Sequence, residues 1–212
     1  MSAAFLLVLD VDSTLIEDEV IELIADRAGV RDEVARITAE AMAGEREFSW
    51  SLGERVALLR GLPLAVLDEV RAEVRVTRGV PELIEGVHAA GGMIAAVSGG
   101  FHEVLDPLAE RLGLDVWRAN RLGAADGRMT GLVDGPIIDG AAKAAALREW
   151  ATAFSVPPAR TVAIGDGAND LAMMAEAGLS IAFDAKPKVR AAADIALDVR
   201  DLSAVLGVLG LR

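Results

Sequence analysis

Groups able to hold a phosphate and a cation follow three apolar runs of this sequence, directly where each run ends. FLLVL is followed by DVDST, which carries Asp10 and Asp12. MIAAV is followed by SGG (residues 98–100), and TVAI by GDGAND (residues 165–170). If the runs are strands of one parallel sheet, their polar ends meet at one edge, where such sheets bind ligands. The spacing therefore predicts one site built from distant segments.

The carboxylates of this edge indicate a metal. Asp10 and Asp12 can both reach the edge only if the chain turns there, and Ser13 and Thr14 favour a turn. Asp166 would add a third negative charge. Because like charges repel, the cluster needs a compensating cation, and Mg²⁺ takes oxygen ligands and commonly bridges to a substrate phosphate. We therefore predict a magnesium site.

The phosphate ligands are predicted from three other residues. Ser98 and the amide of Gly99, expected at a helix start, and Lys143, early in an alanine-rich helical stretch, would bind the remaining phosphate oxygens. Each alone has a commoner explanation, since a serine often caps a helix and a lysine mostly stays exposed. The order of the motifs after successive apolar runs favours the site.

The elements that carry these motifs are short. Five apolar runs that do not alternate with polar residues predict buried parallel strands, at residues 5–9, 93–97, 161–164, 181–183 and 195–197. Amphipathic helices are predicted between most of them, at residues 81–90, 102–112, 141–153 and 171–177. The pattern is typical of an α/β fold with a doubly wound parallel sheet.

Two segments interrupt this alternation. Residues 17–76 show only helical periodicity, with Gly29, Gly44 and the turn at residues 61–63 as separators, which predicts a helical insertion over the site. The predicted domains are a discontinuous core, residues 1–16 and 77–212, and a cap, residues 17–76. Residues 115–138 contain two Asp-Gly pairs and predict a small hairpin, from which we expect little chemistry.

Composition limits the partners and the chemistry. The net charge of −12 and the pI near 4.6 disfavour binding to nucleic acid or to an anionic membrane surface. The chain has no cysteine, no apolar run of about 20 residues and no leader-like segment, so we expect a cytoplasmic protein. His88 and His102 lack the spacing of metal ligands and are interpreted as surface or helix-end residues.

Taken together, DVDST, SGG, Lys143 and GDGAND resemble the four motifs of the haloacid dehalogenase superfamily of aspartate-nucleophile phosphatases. Three further stretches resemble the phosphoserine phosphatases of that superfamily: EAMAGEREFSWSLGERVALL (residues 40–59), EDEV (residues 17–20) and ANRL (residues 119–122). The resemblance implies a Rossmann-like core with a helical cap. It also implies Mg²⁺-dependent hydrolysis of L-phosphoserine to L-serine and phosphate, the last step of serine biosynthesis.

The resemblance also implies roles for the core residues. Asp10 would be the nucleophile that forms an aspartyl phosphate, and Asp12 the general acid and then the base for water. Asp10, the main-chain carbonyl of Asp12 and Asp166 would hold the metal, with Asp170 supporting these ligands. Phosphate would contact Ser98, Gly99, Lys143 and Asn169.

In the cap, the resemblance implies that Glu19 takes the substrate ammonium and Arg55 its carboxylate, while Met42 and Phe48 cover the substrate. Two alternatives remain open: a phosphatase of another small ester such as phosphohomoserine, and a metal- and phosphate-binding module without turnover. The partner would be a small molecule, and the protein a monomer or homodimer.

Overall fold

The computed structural model describes residues 3–43 and 45–211 of the chain. Its centre is a seven-stranded sheet in the order β4-β3-β2-β1-β5-β6-β7. The strands are β1 (Leu6–Leu9), β2 (Met93–Phe101), β3 (Val116–Ala125), β4 (Arg128–Asp134), β5 (Thr161–Gly165), β6 (Leu179–Phe183) and β7 (Ile195–Leu197). All neighbouring pairs are parallel except β3 and β4. The predicted α/β class with a parallel sheet is confirmed.

Ten α-helices are described. The first four lie in the connection from β1 to β2: α1 (Val20–Ala28), α2 (Arg31–Met42), α3 (Phe48–Ala57) and α4 (Val66–Glu73). The others flank the sheet: α5 (Val80–Ala89), α6 (His102–Leu112), α7 (Gly140–Ala153), α8 (Leu171–Glu176), α9 (Pro187–Ala192) and α10 (Ala204–Val208). No helix in the described part of the chain combines the length and apolarity that crossing a bilayer requires.

The sequence of β1 is apolar without alternation because both faces of the strand are buried. Leu7 and Leu9 belong to one hydrophobic cluster, whereas Leu6 and Val8 belong to a second cluster on the other face of the sheet. Because successive side chains of a strand point to opposite faces, both sets must be apolar when helices cover both faces. The central strand is therefore buried on both faces, and it ends at the predicted site.

Strand β2 is longer than predicted. It continues from Met93 to Phe101, with a register shift against β3 between Val97 and Phe101. Helix α6 begins only at His102. The prediction that Ser98 and Gly99 lie at a helix start is therefore wrong, because the strand includes both residues.

The segment between β1 and α5 is helical, as its periodicity predicted. Ile16 forms an isolated antiparallel bridge with Val76, so the chain leaves and re-enters the sheet region at one place. Thr77 N donates to Leu15 O at 3.0 Å beside this bridge. Gly29 ends α1 with φ 68°, a left-handed conformation that glycine adopts without strain. The separator Gly44 lies outside the described residues, and the division into a core and a cap stays a prediction.

The predicted hairpin at residues 115–138 consists of β3 and β4. Asp126 and Gly127 both have positive φ at the turn, as a tight hairpin requires. The hairpin is not separate from the main sheet, because β3 also pairs in parallel with β2. This pairing places β3 directly beside the SGG motif.

Candidate active site

A tight turn after β1 presents Asp10 and Asp12 at the carboxyl end of the sheet. Asp10 N still donates to Ile164 O of β5 at 2.9 Å. The next residues turn at once, since Leu15 N donates to Asp10 O at 3.3 Å and Ser13 has φ 58°. The turn therefore brings both aspartates to the same end of the sheet.

Three buried carboxylates form a cluster. Asp10, Asp166 and Asp170 each offer an oxygen within 4.8 Å of the other two, the one such group in residues 3–43 and 45–211. Burial, with repulsion from Asp170, raises the pKa of Asp10 well above its usual range and that of Asp166 to about 7. An all-oxygen donor set whose charges repel one another matches the ligands that Mg²⁺ prefers. The residues present therefore fit the metal implied by the resemblance.

Lys143 is the cation within this cluster. Its side chain is fully buried in the first turn of α7, with Nζ 2.5 Å from Asp10 Oδ1 and 2.7 Å from Asp170 Oδ1. The helix start is fixed by Asp139, whose side chain accepts a hydrogen bond from Ala142 N. Burial alone would lower the pKa of Lys143, but the two carboxylates outweigh it and raise the pKa. Lys143 is therefore a charged group of the site and not a surface lysine.

The carboxylate of Asp12 has different partners from that of Asp10. Its Oδ1 accepts a hydrogen bond from Val20 N at 2.7 Å, and its Oδ2 accepts from Ser98 Oγ at 3.1 Å. Burial raises the pKa of Asp12, while these hydrogen bonds act in the opposite direction. Asp12 is thus held beside the carboxylate cluster without being one of its three members.

Asn120 on β3 joins two parts of the site, and the sequence analysis missed it. Its Nδ2 donates to Gly99 O at 2.8 Å, and its Oδ1 accepts from Ile138 N at 2.8 Å. Ile138 immediately precedes Asp139, the cap of the helix that carries Lys143. Asn120 lies in ANRL, one of the stretches that resemble the phosphoserine phosphatases. It fixes the SGG strand end relative to α7.

The wall contributed by α1–α3 contains a buried arginine. Arg55 Nε donates to Ser51 O at 3.2 Å and Nη1 donates to Thr38 Oγ1 at 3.1 Å. Its Nη2 is buried and has no hydrogen-bond partner among the described residues. An unsatisfied buried guanidinium nitrogen is costly and suits a ligand carboxylate.

Glu19 lies on the same wall. It accepts a hydrogen bond from Ser13 Oγ at 2.8 Å. Burial, followed by the charge of Asp12, raises the pKa of Glu19 to about 8. A ligand cation placed beside Glu19 would stabilise its charged form.

Two glycines of the core lie directly under side chains of the helical segment. A Cβ on Gly99 would come within 2.4 Å of Phe48 Cζ, and a Cβ on Gly167 within 2.8 Å of Met42 Sδ. Side chains larger than hydrogen at these positions would push Phe48 and Met42 away. The two glycines therefore let the helices close over the site.

The cavity between the helical segment and the sheet has an empty volume of about 400 Å³. It is lined by Asp10, Asp12, Glu19, Ile21, Met42, Phe48, Leu52, Arg55, Gly99, Gly100, Asp166 and Asn169. Three predicted site residues, Ser98, Lys143 and Asp170, lie behind this lining. Ile21 and Leu52 were not predicted, since nothing in their local sequence distinguishes them from core residues.

Asn169 Oδ1 is buried and has no hydrogen-bond partner among the described residues. Asn169 therefore has an oxygen available to a ligand or water.

Neither histidine lines the cavity: His88 Nε2 lies 3.0 Å from Asp115, and His102 Nδ1 lies 2.6 Å from Asp106.

The family model and the curated relatives that match this chain point to the same family. A model of the haloacid dehalogenase-like hydrolases matches residues 7–175. A phosphoserine phosphatase of Streptomyces coelicolor is 56% identical over 206 residues, which are 97% of this chain and 50% of that protein. One from Lactococcus lactis is 48% identical over 97% of this chain and 95% of its own length. The chain thus spans half of the first relative and nearly all of the second.

Solved structures extend the similarity to three dimensions. A phospho-aspartyl intermediate analogue of a phosphoserine phosphatase superposes with a TM-score of 0.95 at 42% identity, covering 98% of this chain and 99% of the other. A substrate-bound phosphoserine phosphatase complex gives a TM-score of 0.95 at 41% identity with the same coverage. The similarity includes the helical segment as well as the sheet.

Proposed function

This chain belongs to the haloacid dehalogenase-like hydrolase family, and from that premise we propose that it hydrolyses L-phosphoserine to L-serine and phosphate. One observation carries the proposal. The cavity has the carboxylate cluster with Lys143 at its core end, and Glu19 with the unpaired Nη2 of Arg55 at its cap end. These two ends suit a phosphate and a zwitterionic amino acid joined in one small molecule.

In the first step, Asp10 attacks phosphorus. A bond forms between a carboxylate oxygen of Asp10 and phosphorus while the bond from phosphorus to the serine oxygen breaks. Asp12 gives its proton to the departing oxygen; its raised pKa supports this role. The products are an aspartyl phosphate and L-serine.

In the second step, water releases the phosphate. Asp12, now a carboxylate, takes a proton from water as the water oxygen bonds to phosphorus. The bond between phosphorus and Asp10 breaks, which restores both aspartates. The placement of Asp12, fixed by Val20 N and Ser98 Oγ, supports a residue that serves both steps.

We assign the metal site to Asp10, the main-chain carbonyl of Asp12 and Asp166, with Asp170 supporting these ligands. Mg²⁺ bound there would neutralise phosphate charge and polarise the P–O bonds. The support for this assignment is the raised pKa of Asp10 and Asp166, because a divalent cation would relieve the repulsion responsible for part of each shift. Lys143 compensates part of the charge and would also bind a phosphate oxygen.

The phosphate would also contact Ser98 and the amide of Gly99, and Asn169 would place phosphate or water with its unpaired oxygen. At the other end, Glu19 would take the substrate ammonium and Arg55 its carboxylate. Met42 and Phe48 would cover the substrate and exclude water, which strengthens each charged contact.

The second candidate is another small phosphate ester, such as phosphohomoserine. It has the same charged groups and one additional methylene, a difference that a pocket discriminates by about 1–3 kcal/mol. A cytoplasmic location and a monomeric or homodimeric state belong to the same proposal, the former supported by the absence of cysteine.

The experiment is phosphate release from a panel of esters with and without Mg²⁺. Phosphoserine, phosphohomoserine, phosphothreonine and p-nitrophenyl phosphate are compared by kcat/KM, with the Asp10→Asn variant prepared identically to measure contaminating phosphatase. We expect Mg²⁺-dependent turnover with phosphoserine preferred. A preference for phosphohomoserine would replace the substrate, and no turnover above the Asp10→Asn background would overturn the enzymatic function.

A further inference from the structure

A second, larger cavity adjoins the first. It has an empty volume of about 930 Å³ and lies between the helical segment and the connection from β6 to α9. Its lining consists of Ser13, Glu19, Glu22, Ala35, Thr38, Ala39, Met42, Ala43, Asp166, Lys186, Pro187 and Lys188. Glu19, Met42 and Asp166 also line the first cavity, so these three residues form the boundary between the two. We call the second cavity the lysine cleft.

The lysine cleft runs from the surface to the site. Lys186, Lys188 and Ala39 are exposed, whereas Thr38 and Asp166 at its inner end are buried. One wall is made by small side chains of α2, including Ala39, and it leaves the cleft open. The cleft therefore connects the two exposed lysines at the surface to the three boundary residues.

The basic wall of the cleft uses a rare residue type. The chain contains three lysines among 21 basic residues: Lys143 at the carboxylate cluster, and Lys186 and Lys188 in the cleft. Neither Lys186 nor Lys188 forms an ion pair with any residue in the described ranges. In contrast, Arg190, which lies on α9 with Lys188, pairs with Asp198. The two cleft lysines thus keep their charges available.

The position of these charges matters because the protein is acidic. A net charge of −12 repels an approaching phosphate dianion, and only local positive charge can offset that repulsion. Two carboxylates of the helical segment, Glu19 and Glu22, line the cleft together with the lysines. Glu22 Oε2 lies 4.0 Å from Arg31 Nη2. On the core side, Lys186 N donates to Asp166 O at 3.0 Å, which fixes the basic segment beside the site.

We propose that the lysine cleft is the path by which the phosphorylated substrate enters, and that Lys186 and Lys188 draw in its phosphate group. The inference rests on the proposed function for the identity of the substrate. It assigns the lysines to capture and not to the chemical step.

The proposed attraction of the phosphate by the lysines is tested with Lys188→Gln. Lys188 is chosen because Lys186, and not Lys188, forms the main-chain hydrogen bond to Asp166. The matched control is Arg160→Gln, which removes the same charge from an exposed position at the opposite end of the sheet, before β5. At low ionic strength we expect kcat/KM to fall about threefold in Lys188→Gln and to stay at the wild-type value in Arg160→Gln. At about 1 M salt, where the Debye length is near 3 Å, the difference should disappear.

The steric part is tested with Ala39→Phe, which places a ring in the cleft from its exposed wall. Ala72→Phe is the control, since Ala72 is an exposed alanine of α4 outside the lining. We expect Ala39→Phe to lower kcat/KM by about tenfold or more at every salt concentration, and Ala72→Phe to match the wild type. Thermal unfolding of both variants separates a blocked path from a destabilised fold.

All variants are assayed with phosphoserine and with p-nitrophenyl phosphate, because both carry the phosphate dianion. If the wild type turns over only p-nitrophenyl phosphate, the proposed substrate fails, while the same variant pattern would still support the cleft. Equal ionic-strength dependence in Lys188→Gln and Arg160→Gln would overturn the capture role. Unchanged kcat/KM in Ala39→Phe would overturn the path.

Discussion

Lys143 and Asp170 form an ion pair without exposed side-chain surface, with Nζ 2.7 Å from Oδ1. The same ammonium lies 2.5 Å from Asp10. A charge is expensive to bury, and removing one partner of such a pair leaves the other without compensation. This relationship makes the folding of the protein and its chemistry depend on one residue.

Lys143→Met should therefore cost about 3–5 kcal/mol in the free energy of unfolding without metal, in addition to the loss of activity. The double variant Lys143→Met with Asp170→Asn should recover part of this cost, because one of the uncompensated charges is removed. Urea unfolding of both variants in a chelator measures the difference. A double variant no more stable than Lys143→Met would show that the pair is not coupled as the distances indicate.

Asp10→Asn should abolish phosphatase activity and leave the fold intact. The amide cannot attack phosphorus, and it removes a carboxyl that burial and Asp170 already disfavour as an anion. Phosphate release and the circular dichroism spectrum are measured on one preparation. Activity near that of the wild type would remove Asp10 as the nucleophile.

Asp12→Asn should reduce kcat by about 10²–10⁴-fold, the usual contribution of general acid–base catalysis. The amide can keep the hydrogen bond from Val20 N, so the turn after β1 should persist. Unchanged Mg²⁺ affinity, measured by calorimetry, is the control, since the proposed ligand at this position is a main-chain carbonyl. A loss below about tenfold would give Asp12 another role.

Arg55→Ala should lower kcat/KM for phosphoserine, because a charged contact in a closed pocket is lost. The corresponding loss of transition-state stabilisation should be about 2–5 kcal/mol. For p-nitrophenyl phosphate, which has no carboxylate, the loss should be much smaller. The ratio of the two losses is the measurement. Equal losses would show that Arg55 supports the pocket through Thr38 and Ser51 and does not bind the carboxylate.

The stability of the metal-free protein should fall as pH rises. Burial raises the pKa of Asp10, of Asp166 to about 7 and of Glu19 to about 8, so the folded chain holds protons that the unfolded chain has released above about pH 4. Stability from these groups is complete below about pH 4 and is lost progressively up to about pH 8. Melting temperatures in chelator should decrease from pH 6 to pH 8, and Mg²⁺ should reduce the decrease. A pH-independent melting temperature in chelator would contradict these shifts.

Elements whose signals are local can be predicted from the sequence alone. The apolar run before Asp10 predicts a strand buried on both faces, and the polar residues after it predict a turn. The boundaries of β7 and α6 agree with their predicted ranges, since hydrophobic periodicity and the ends of apolar runs encode them directly. The same local patterns indicated the helical insertion and the convergence of the aspartates on one edge.

Features that depend on contacts between distant residues have no local signal in the sequence. β2 extends to Phe101, which pairs with Asn120 of β3 after a register shift, and the Asn120 side chain reaches Gly99 across 21 positions of sequence. Arg55 has the helical spacing of a solvated surface residue, yet packing buries it and leaves one nitrogen unpaired. Periodicity reports which face of an element is apolar, whereas the partner of a polar group is fixed only when separate elements pack together.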